Sequence, residues 1–259
     1  LFFSPPRYPI PNQEREILEH ATHFEVRVGD KTVSCYSWGS GPVVLLVHGW
    51  AGRASQFKSF IDYFTAAGYT TVAFDAPAHG RTAGKTTNLF EFKDAIFEIE
   101  KAVGSFEAIV AHSFGGGASL FAMSEGLQTK TLITIATPVL ADDIIDEFAT
   151  RLSASSKAKE NLKQVVLEKF NRSFDEFMST HFITQLTAEI NLLVLHDEHD
   201  KEVPLRNAVR LTGAYPRAVF HKTSGLGHVR ILRDATVIEL CKNFIAAQME
   251  PQKELSSVF

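Results

Sequence analysis

The stretch from Ala108 to Leu120 constrains the fold more than any other part of the chain. Ala108-Ile109-Val110-Ala111 is a short apolar run, as expected of a strand buried on both faces. His112 and Ser113 follow, then Phe114-Gly115-Gly116-Gly117, then the helix-like Ala118-Ser119-Leu120-Phe121-Ala122-Met123. A strand that turns so abruptly into a helix strains the residue at the joint and projects its side chain above the sheet. The turn is tolerated only where the residues two before and two after the joint are small. Here they are Ala111 and Gly115, so the pattern is A-x-S-x-G, with a methyl group where G-x-S-x-G has a hydrogen. Ser113 then faces a helix N-terminus, whose unpaired backbone N–H groups and positive dipole end favour a developing anion. A buried serine in a glycine-rich turn has the same local pattern, so the rest of the chain must decide between the two.

The flanking segments alternate between strand and helix patterns. Phe24–Val28 alternates as a strand, Gly29-Asp30 makes a two-residue turn, and Thr32–Ser37 returns, which reads as an antiparallel hairpin at one sheet edge. Val43–Val47 is a continuous apolar run. Thr70–Asp75, Lys130–Ile135, Asn191–His196 and a shorter segment around Val219 are further strands. Helical periods occupy Asn12–His20, Ser55–Ala67, Leu89–Val103 and Asp234–Met249. This alternation implies an α/β fold, with a mostly parallel sheet and helices on both faces. One region breaks the rule. Residues 138–187 show helical periods only, at Ala141–Leu152, Lys157–Phe170 and Ser173–Phe182, and are relatively polar. They read as a helical cap or lid inserted over the strand ends, which divides the chain into a core domain of residues 1–137 and 188–259 and a cap of residues 138–187. A thick crossover without a functional role is the competing interpretation.

Composition narrows the function classes. At 259 residues, 45% hydrophobic and 22% charged, the chain has an ordinary globular balance and room for a sizeable core. Its 21 phenylalanines exceed a minimal core and point to a Phe-rich interior or an apolar pocket lining. The net charge of −4, without a long basic run, argues against nucleic acid as a partner. The two cysteines, Cys35 and Cys241, make neither a disulfide framework nor a zinc spacing, and the default is a reducing, cytoplasmic setting. No apolar run is long enough to span a bilayer. Leu1-Phe2-Phe3 gives way to prolines without the charged region and apolar core of a signal peptide, and the missing initiator methionine is compatible with a trimmed start.

In an open parallel sheet, ligands bind outside the carboxyl ends of the strands. The suggestive polar residues cluster there. His48-Gly49-Trp50 follows one strand and Ser113 another; His196-Asp197-Glu198-His199-Asp200 follows a third, and Ser224-Gly225-Leu226-Gly227-His228 the last. A serine hydroxyl is a poor nucleophile until a base takes its proton, and an imidazole needs an acid to hold its tautomer and stabilise its cation. Ser113, Asp200 and His228 supply these groups in the chain order Ser…Asp…His. Asp197 competes for the acid, being closer to the strand end, and His196, His199 and His221 compete with His228. His112 reads as a packing residue, Asp75 and His79 as ties within their own loop, and His48 as a support for the loop that follows it.

Together, His48-Gly49-Trp50, Asp75-Ala-Pro-Ala-His-Gly80, Ala111-His-Ser-Phe-Gly115, Asp200-Lys-Glu-Val-Pro204 and Gly227-His228 resemble the α/β-hydrolase fold superfamily, from about Phe24 to Met249. The resemblance implies Ser113 as nucleophile, Asp200 as orienting acid within its D-x-x-V-P loop, and His228 as base. It also implies an oxyanion hole made by the backbone N–H groups of Trp50 and Phe114. The expected activity is that of a serine hydrolase acting on an ester or related acyl bond of a small molecule, without cofactor or metal. A non-hydrolytic member of the same fold, such as a lyase or cofactor-free peroxidase, is an alternative, and so is a ligand-binding module. Two decoys fall away. Gly80-Arg-Thr-Ala-Gly84-Lys85-Thr86 is one residue short of a phosphate-binding loop, and the His196–Asp200 cluster lies where its strand ends and cannot present alternate residues on one face.

Overall fold

A computed structural model describes residues 2–249. Eight strands form one sheet: β1 (Thr22–Val28), β2 (Lys31–Trp38), β3 (Val43–Val47), β4 (Thr70–Asp75), β5 (Ala108–His112), β6 (Thr131–Ile135), β7 (Asn191–Asp197) and β8 (Val219–Thr223). Their spatial order is β1-β2-β4-β3-β5-β6-β7-β8. The hairpin pairs antiparallel within itself and along β4, and every other neighbouring pair is parallel. The chain therefore steps from β3 outward to β4, then returns to the other side of β3 as β5. In open α/β sheets ligands bind at such a reversal, outside the carboxyl ends of the strands, here β3 and β5.

The central strands alternate their apolar side chains between two cores, as the two-residue period of a pleated strand requires. Leu45, Val47, Ile109 and Leu132 join Phe92, Ile96 and Ile99 of α3 (Leu89–Val103), and Leu120 and Phe121 of α4 (Phe114–Ser124). On the other face, Val44, Leu46, Val110 and Ile133 meet Ile17 and Leu18 of α1 (Asn12–Glu19) and Phe60, Ile61 and Phe64 of α2 (Lys58–Ala66). Each such side chain, fully buried, contributes about 1.5–3 kcal/mol of transfer free energy, so burial on both faces anchors the middle of the sheet most firmly.

Between β6 and β7 lie α5 (Ala141–Arg151), α6 (Ser156–Phe170) and α7 (Ser179–Thr184). Only Val166 of α6 is buried, which matches the polarity of this stretch. The helix anticipated over Ser173–Phe182 is broken: Phe174–Phe177 is a single 3₁₀ turn, and Met178 is extended, with φ −88° and ψ 147°. Phe182 stacks on Phe121 of α4, with ring centroids 4.5 Å apart. The segment Ser55–Ala67 likewise begins as a 3₁₀ turn at Ala54–Phe57 before α2. After β7 come α8 (Arg206–Ala214), the single turn α9 (Gly227–Arg230), and α10 (Ala235–Met249), which buries Val237, Ile238, Cys241 and Ile245. The helical periods read from the sequence do not include α8, in which Asn207, Ala208 and Leu211 are buried while Val209 faces solvent.

The junction between β5 and α4 is as tight as its small residues require. Ser113 has φ 51° and ψ −122°. A methyl group built on Gly115 lies 2.5 Å from the Val47 carbonyl oxygen and 2.6 Å from that of His48. Ala111, by contrast, is accommodated within the buried strand. Gly115→Ala is expected to cost about 1–3 kcal/mol of stability, since the end of β3 is backbone and cannot swing aside. Urea titration of the folded state measures it, and an unchanged midpoint would mean that α4 and β3 separate freely.

Candidate active site

Ser113 sits at the reversal point of the sheet, between the end of β5 and the start of α4. Its strained backbone is held by its own N–H, which donates to the Ile135 carbonyl at 2.8 Å, and by its carbonyl, which accepts from Gly116 N–H at 2.9 Å. The chain after β3 lies directly against it. A methyl group on Gly49 would lie 2.8 Å from Ser113 Cβ and 3.3 Å from its Oγ. The backbone N–H groups of Trp50 and Phe114 donate to no protein group among the described residues. The rings of these two residues meet edge to face at 5.4 Å, bringing the two N–H-bearing segments together.

Of the two candidate acids, Asp200 is the one that meets His228. His228 Nδ1 lies 2.7 Å from Asp200 Oδ2, while Asp200 Oδ1 accepts from the N–H groups of Glu202 at 2.8 Å and Val203 at 2.9 Å. Burial pushes the Asp200 carboxyl up, but the hydrogen bond and charge of His228, with the Val203 and Glu202 amides, bring it below its ordinary value. An ionised Asp200 accepts from His228 Nδ1–H and leaves Nε2 as the free ring nitrogen. Asp197 is occupied elsewhere, accepting from His199 N–H at 2.9 Å, Thr223 Oγ1 at 2.8 Å and Leu226 N–H at 2.9 Å. It therefore ties the end of β7 to the loop that carries His228.

The competing histidines are separated by their contacts. His199 Nδ1 accepts from Gly225 N–H at 3.2 Å on the exposed side of that loop, and His221 lies exposed on the edge strand β8. His196 is fully buried, with Nε2 donating to the Val203 carbonyl at 2.8 Å and lying 3.7 Å from Asp200 Oδ2. It braces the Asp200 turn from beneath. His112, which sequence pattern assigned to packing, reaches further: its Nε2 lies 2.9 Å from the His228 carbonyl oxygen.

Two more buried histidines hold the loop after β3. His48 Nδ1 donates to the Gly49 carbonyl at 2.7 Å, and its Nε2 accepts from Ala76 N–H at 3.0 Å. His79 Nδ1 donates to the Pro77 carbonyl at 3.0 Å, and its Nε2 accepts from Ala51 N–H at 3.0 Å. Asp75 completes the tie with Ala54 N–H at 2.8 Å, Arg81 N–H at 2.8 Å and Tyr36 OH at 3.0 Å. The Arg7 guanidinium then fastens the β4 loop from outside, donating to the carbonyls of Ala78 at 3.1 Å and Gly84 at 3.2 Å.

The segment between β6 and β7 approaches the acid loop from above. Arg151 at the end of α5 pairs with Glu202 at 2.5 Å, and Asp143 at its start pairs with Arg206 and accepts from Asn207 Nδ2 at 2.7 Å. Its phenylalanines fill aromatic clusters. Phe148 and Phe174 pack on Phe2, and Phe170 and Phe177 pack on Phe90.

Comparison with known proteins agrees with this architecture. Residues 44–240 match the model of a family described as "Alpha/beta hydrolase family". A human serine hydrolase-like protein is 30% identical over 142 residues, 51% of this chain and 68% of that protein. The dihydrolipoyllysine-residue acetyltransferase component of the acetoin cleaving system of Cupriavidus necator is 28% identical over 131 residues. That match covers 49% of this chain and 35% of the relative, so the chain spans only about a third of that protein's length. Among solved structures, the Pyrococcus furiosus esterase Pf2001 superposes with a TM-score of 0.70 at 18% identity, over 94% of this chain and 96% of that one. At that identity the likeness is one of fold. No helix among the described residues is long and apolar enough to cross a membrane.

The buried histidines make stability depend on pH. Burial pushes His48 from its ordinary 6.5 to about 4, and burial with the neighbouring His48 pushes His79 from 6.5 to about 3. Each needs its neutral form, because Nε2 acts as an acceptor. Below pH 6.5 the unfolded chain takes up protons that the folded chain refuses, so stability falls as the pH drops from 6.5 to about 4. His48 alone accounts for about 3 kcal/mol across that window. Unfolding free energies at pH 7 and below should show the loss, and NMR titration of either imidazole near its ordinary value in the folded protein would contradict it.

Proposed function

Because this chain belongs to the alpha/beta hydrolase family, we propose that it hydrolyses an ester or related acyl bond of a small molecule through an acyl-enzyme on Ser113. The observation that carries this reading is the 2.7 Å contact of His228 Nδ1 with the Asp200 carboxylate, on a loop hydrogen-bonded to His112, the residue that ends β5 and precedes Ser113. The names of the relatives, a serine hydrolase-like protein and an esterase, support the same class of reaction.

Ser113 Oγ attacks the substrate carbonyl carbon as its proton passes to His228 Nε2. The negative charge that develops on the carbonyl oxygen accepts from the free N–H groups of Trp50 and Phe114, which lie at a helix N-terminus and in the adjoining loop. Asp200 stays ionised and stabilises the imidazolium. Collapse of the tetrahedral adduct expels the alcohol or amine, which takes its proton from His228. Water then enters, gives a proton to His228 and attacks the acyl carbon. The second adduct releases the carboxylic acid as His228 returns the proton to Ser113. Each group ends in its starting state, and no external oxidant or reductant is required. The Ser113–His228 hydrogen bond is not among those formed in the free protein, and such bonds tighten on substrate binding.

Residues 138–187 act as the cap in this reading. Their clamps to the acid loop and to α8, through Arg151–Glu202 and Asp143–Arg206, support that role. The reducing setting inferred from the two unpaired cysteines supports a cytoplasmic site of action.

A fluorophosphonate probe is expected to label the wild type and not Ser113→Ala, and short p-nitrophenyl esters to turn over. Asp200→Asn should lower kcat about 10³–10⁴-fold by leaving His228 in the wrong tautomer, whereas Asp197→Asn should act mainly on stability. Labelling that survives Ser113→Ala would defeat the assignment. Tight ligand binding with neither turnover nor labelling would instead mark a binding module.

A further inference from the structure

The base is poorly anchored by its own element. His228 belongs to α9, a single turn in which no residue is buried, and it follows Gly225 and Gly227, both at positive φ (82° and 66°). In the sheet, β6 and β7 separate β5 from β8, so no ladder hydrogen bond relates this turn to the strand that precedes Ser113. Asp200 constrains the ring at Nδ1, but a ring held at one atom can still pivot. Asp197 holds the loop at Leu226 N–H, and His112 adds an attachment at the backbone of His228 itself. Its Nε2 lies 2.9 Å from the His228 carbonyl oxygen, across 116 residues of sequence, and the two rings lie 4.7 Å apart at 49°. Since a carbonyl can only accept, His112 carries its proton on Nε2.

We propose that His112 is a positioning residue for the reaction: its Nε2–H, donated to the His228 carbonyl, sets the distance between the base and Ser113. The residue is rigidly placed for this, being the last residue of β5 and 6% exposed. It also stays neutral. Burial, reinforced by the charge of His228, pushes its imidazole down to about 3, so the strut adds no positive charge beside the imidazolium that forms at His228. Packing alone would not require a donor at this nitrogen, whereas the strut requires one.

The inference rests on Ser113 and His228 acting as nucleophile and base, and the experiment separates the two claims. Fluorophosphonate labelling of the wild type and of Ser113→Ala tests the underlying assignment; if that fails, this proposal falls with it. Three substitutions then test the strut. Glutamine places its amide nitrogen as many bonds from the backbone as His112 Nε2, asparagine falls one bond short, and leucine fills space without a donor. His112→Asn and His112→Leu are expected to lower kcat and the labelling rate about tenfold or more with KM nearly unchanged, while His112→Gln stays within about threefold of wild type. A leucine variant with wild-type kcat, or a glutamine variant as slow as leucine, would overturn the proposal. NMR of the wild type provides a readout that needs neither turnover nor a folded variant. The His112 imidazole should show protonated Nε2, bare Nδ1 and a slowly exchanging Nε2–H, and the opposite tautomer would also overturn it.

Discussion

The closeness of α4 to the end of β3 is the constraint on which the rest depends. Gly115 lies so near the Val47 and His48 carbonyls that it has no space for a side chain, and that approach forces the chain at Ser113 into a left-handed conformation. A non-glycine residue in such a conformation costs of order 1–3 kcal/mol and persists only where the surroundings over-determine it. Here they do, because β3 and β5 are buried on both faces between two hydrophobic cores. The strained turn sets Ser113 between the end of β5 and the first turn of α4, with Gly49 directly against it.

Around that turn, neutral histidines and buried carboxylates do the work of backbone pairing. The loops after β3, β4, β7 and β8 leave the sheet, and their polar groups have no ladder to join. His48, His79 and Asp75 satisfy the first two loops; Asp197, His196 and Asp200 satisfy the others. Asp197 and Asp200 divide the labour by reach. The first, still within β7, bonds to the base of the His228 loop, while the second, three residues on, bonds to the imidazole itself. In a low-dielectric site these bonds are strong when complete and costly when broken, which is why pH and stability are linked through the imidazoles.

The abundant phenylalanines have a distributed structural use. Some fill the two cores, as Phe57, Phe60 and Phe64 do. Others join separate parts of the chain: Phe2 and Phe3 of the N-terminal arm pack on Phe148, Phe174 and Phe170 of the segment between β6 and β7, and Phe90 of α3 packs on Phe170 and Phe177. With Arg7 seated on the β4 loop, the arm couples that loop to the helices that follow β6.

The amino-acid pattern alone determined the fold class and the edge hairpin, because alternating and continuous apolar runs report which faces of a strand are buried. It also determined the tight joint at Ser113, because small residues at fixed offsets are a steric requirement written locally. Spacing alone kept Asp197 beside Asp200 and three other histidines beside His228; the D-x-x-V-P loop and the resemblance favoured Asp200 and His228, but which acid meets which imidazole is a distance across the sheet and not a spacing along the chain. The helical periods read from it also did not include α8, or the break at the extended Met178 ahead of the helix that carries Phe182 onto Phe121. Tertiary structure alone decided that His112 reaches His228. A hydrogen bond between residues 116 apart, one ending β5 and the other in the turn after β8, leaves no periodic trace, and only the folded sheet brings its donor and acceptor within 2.9 Å.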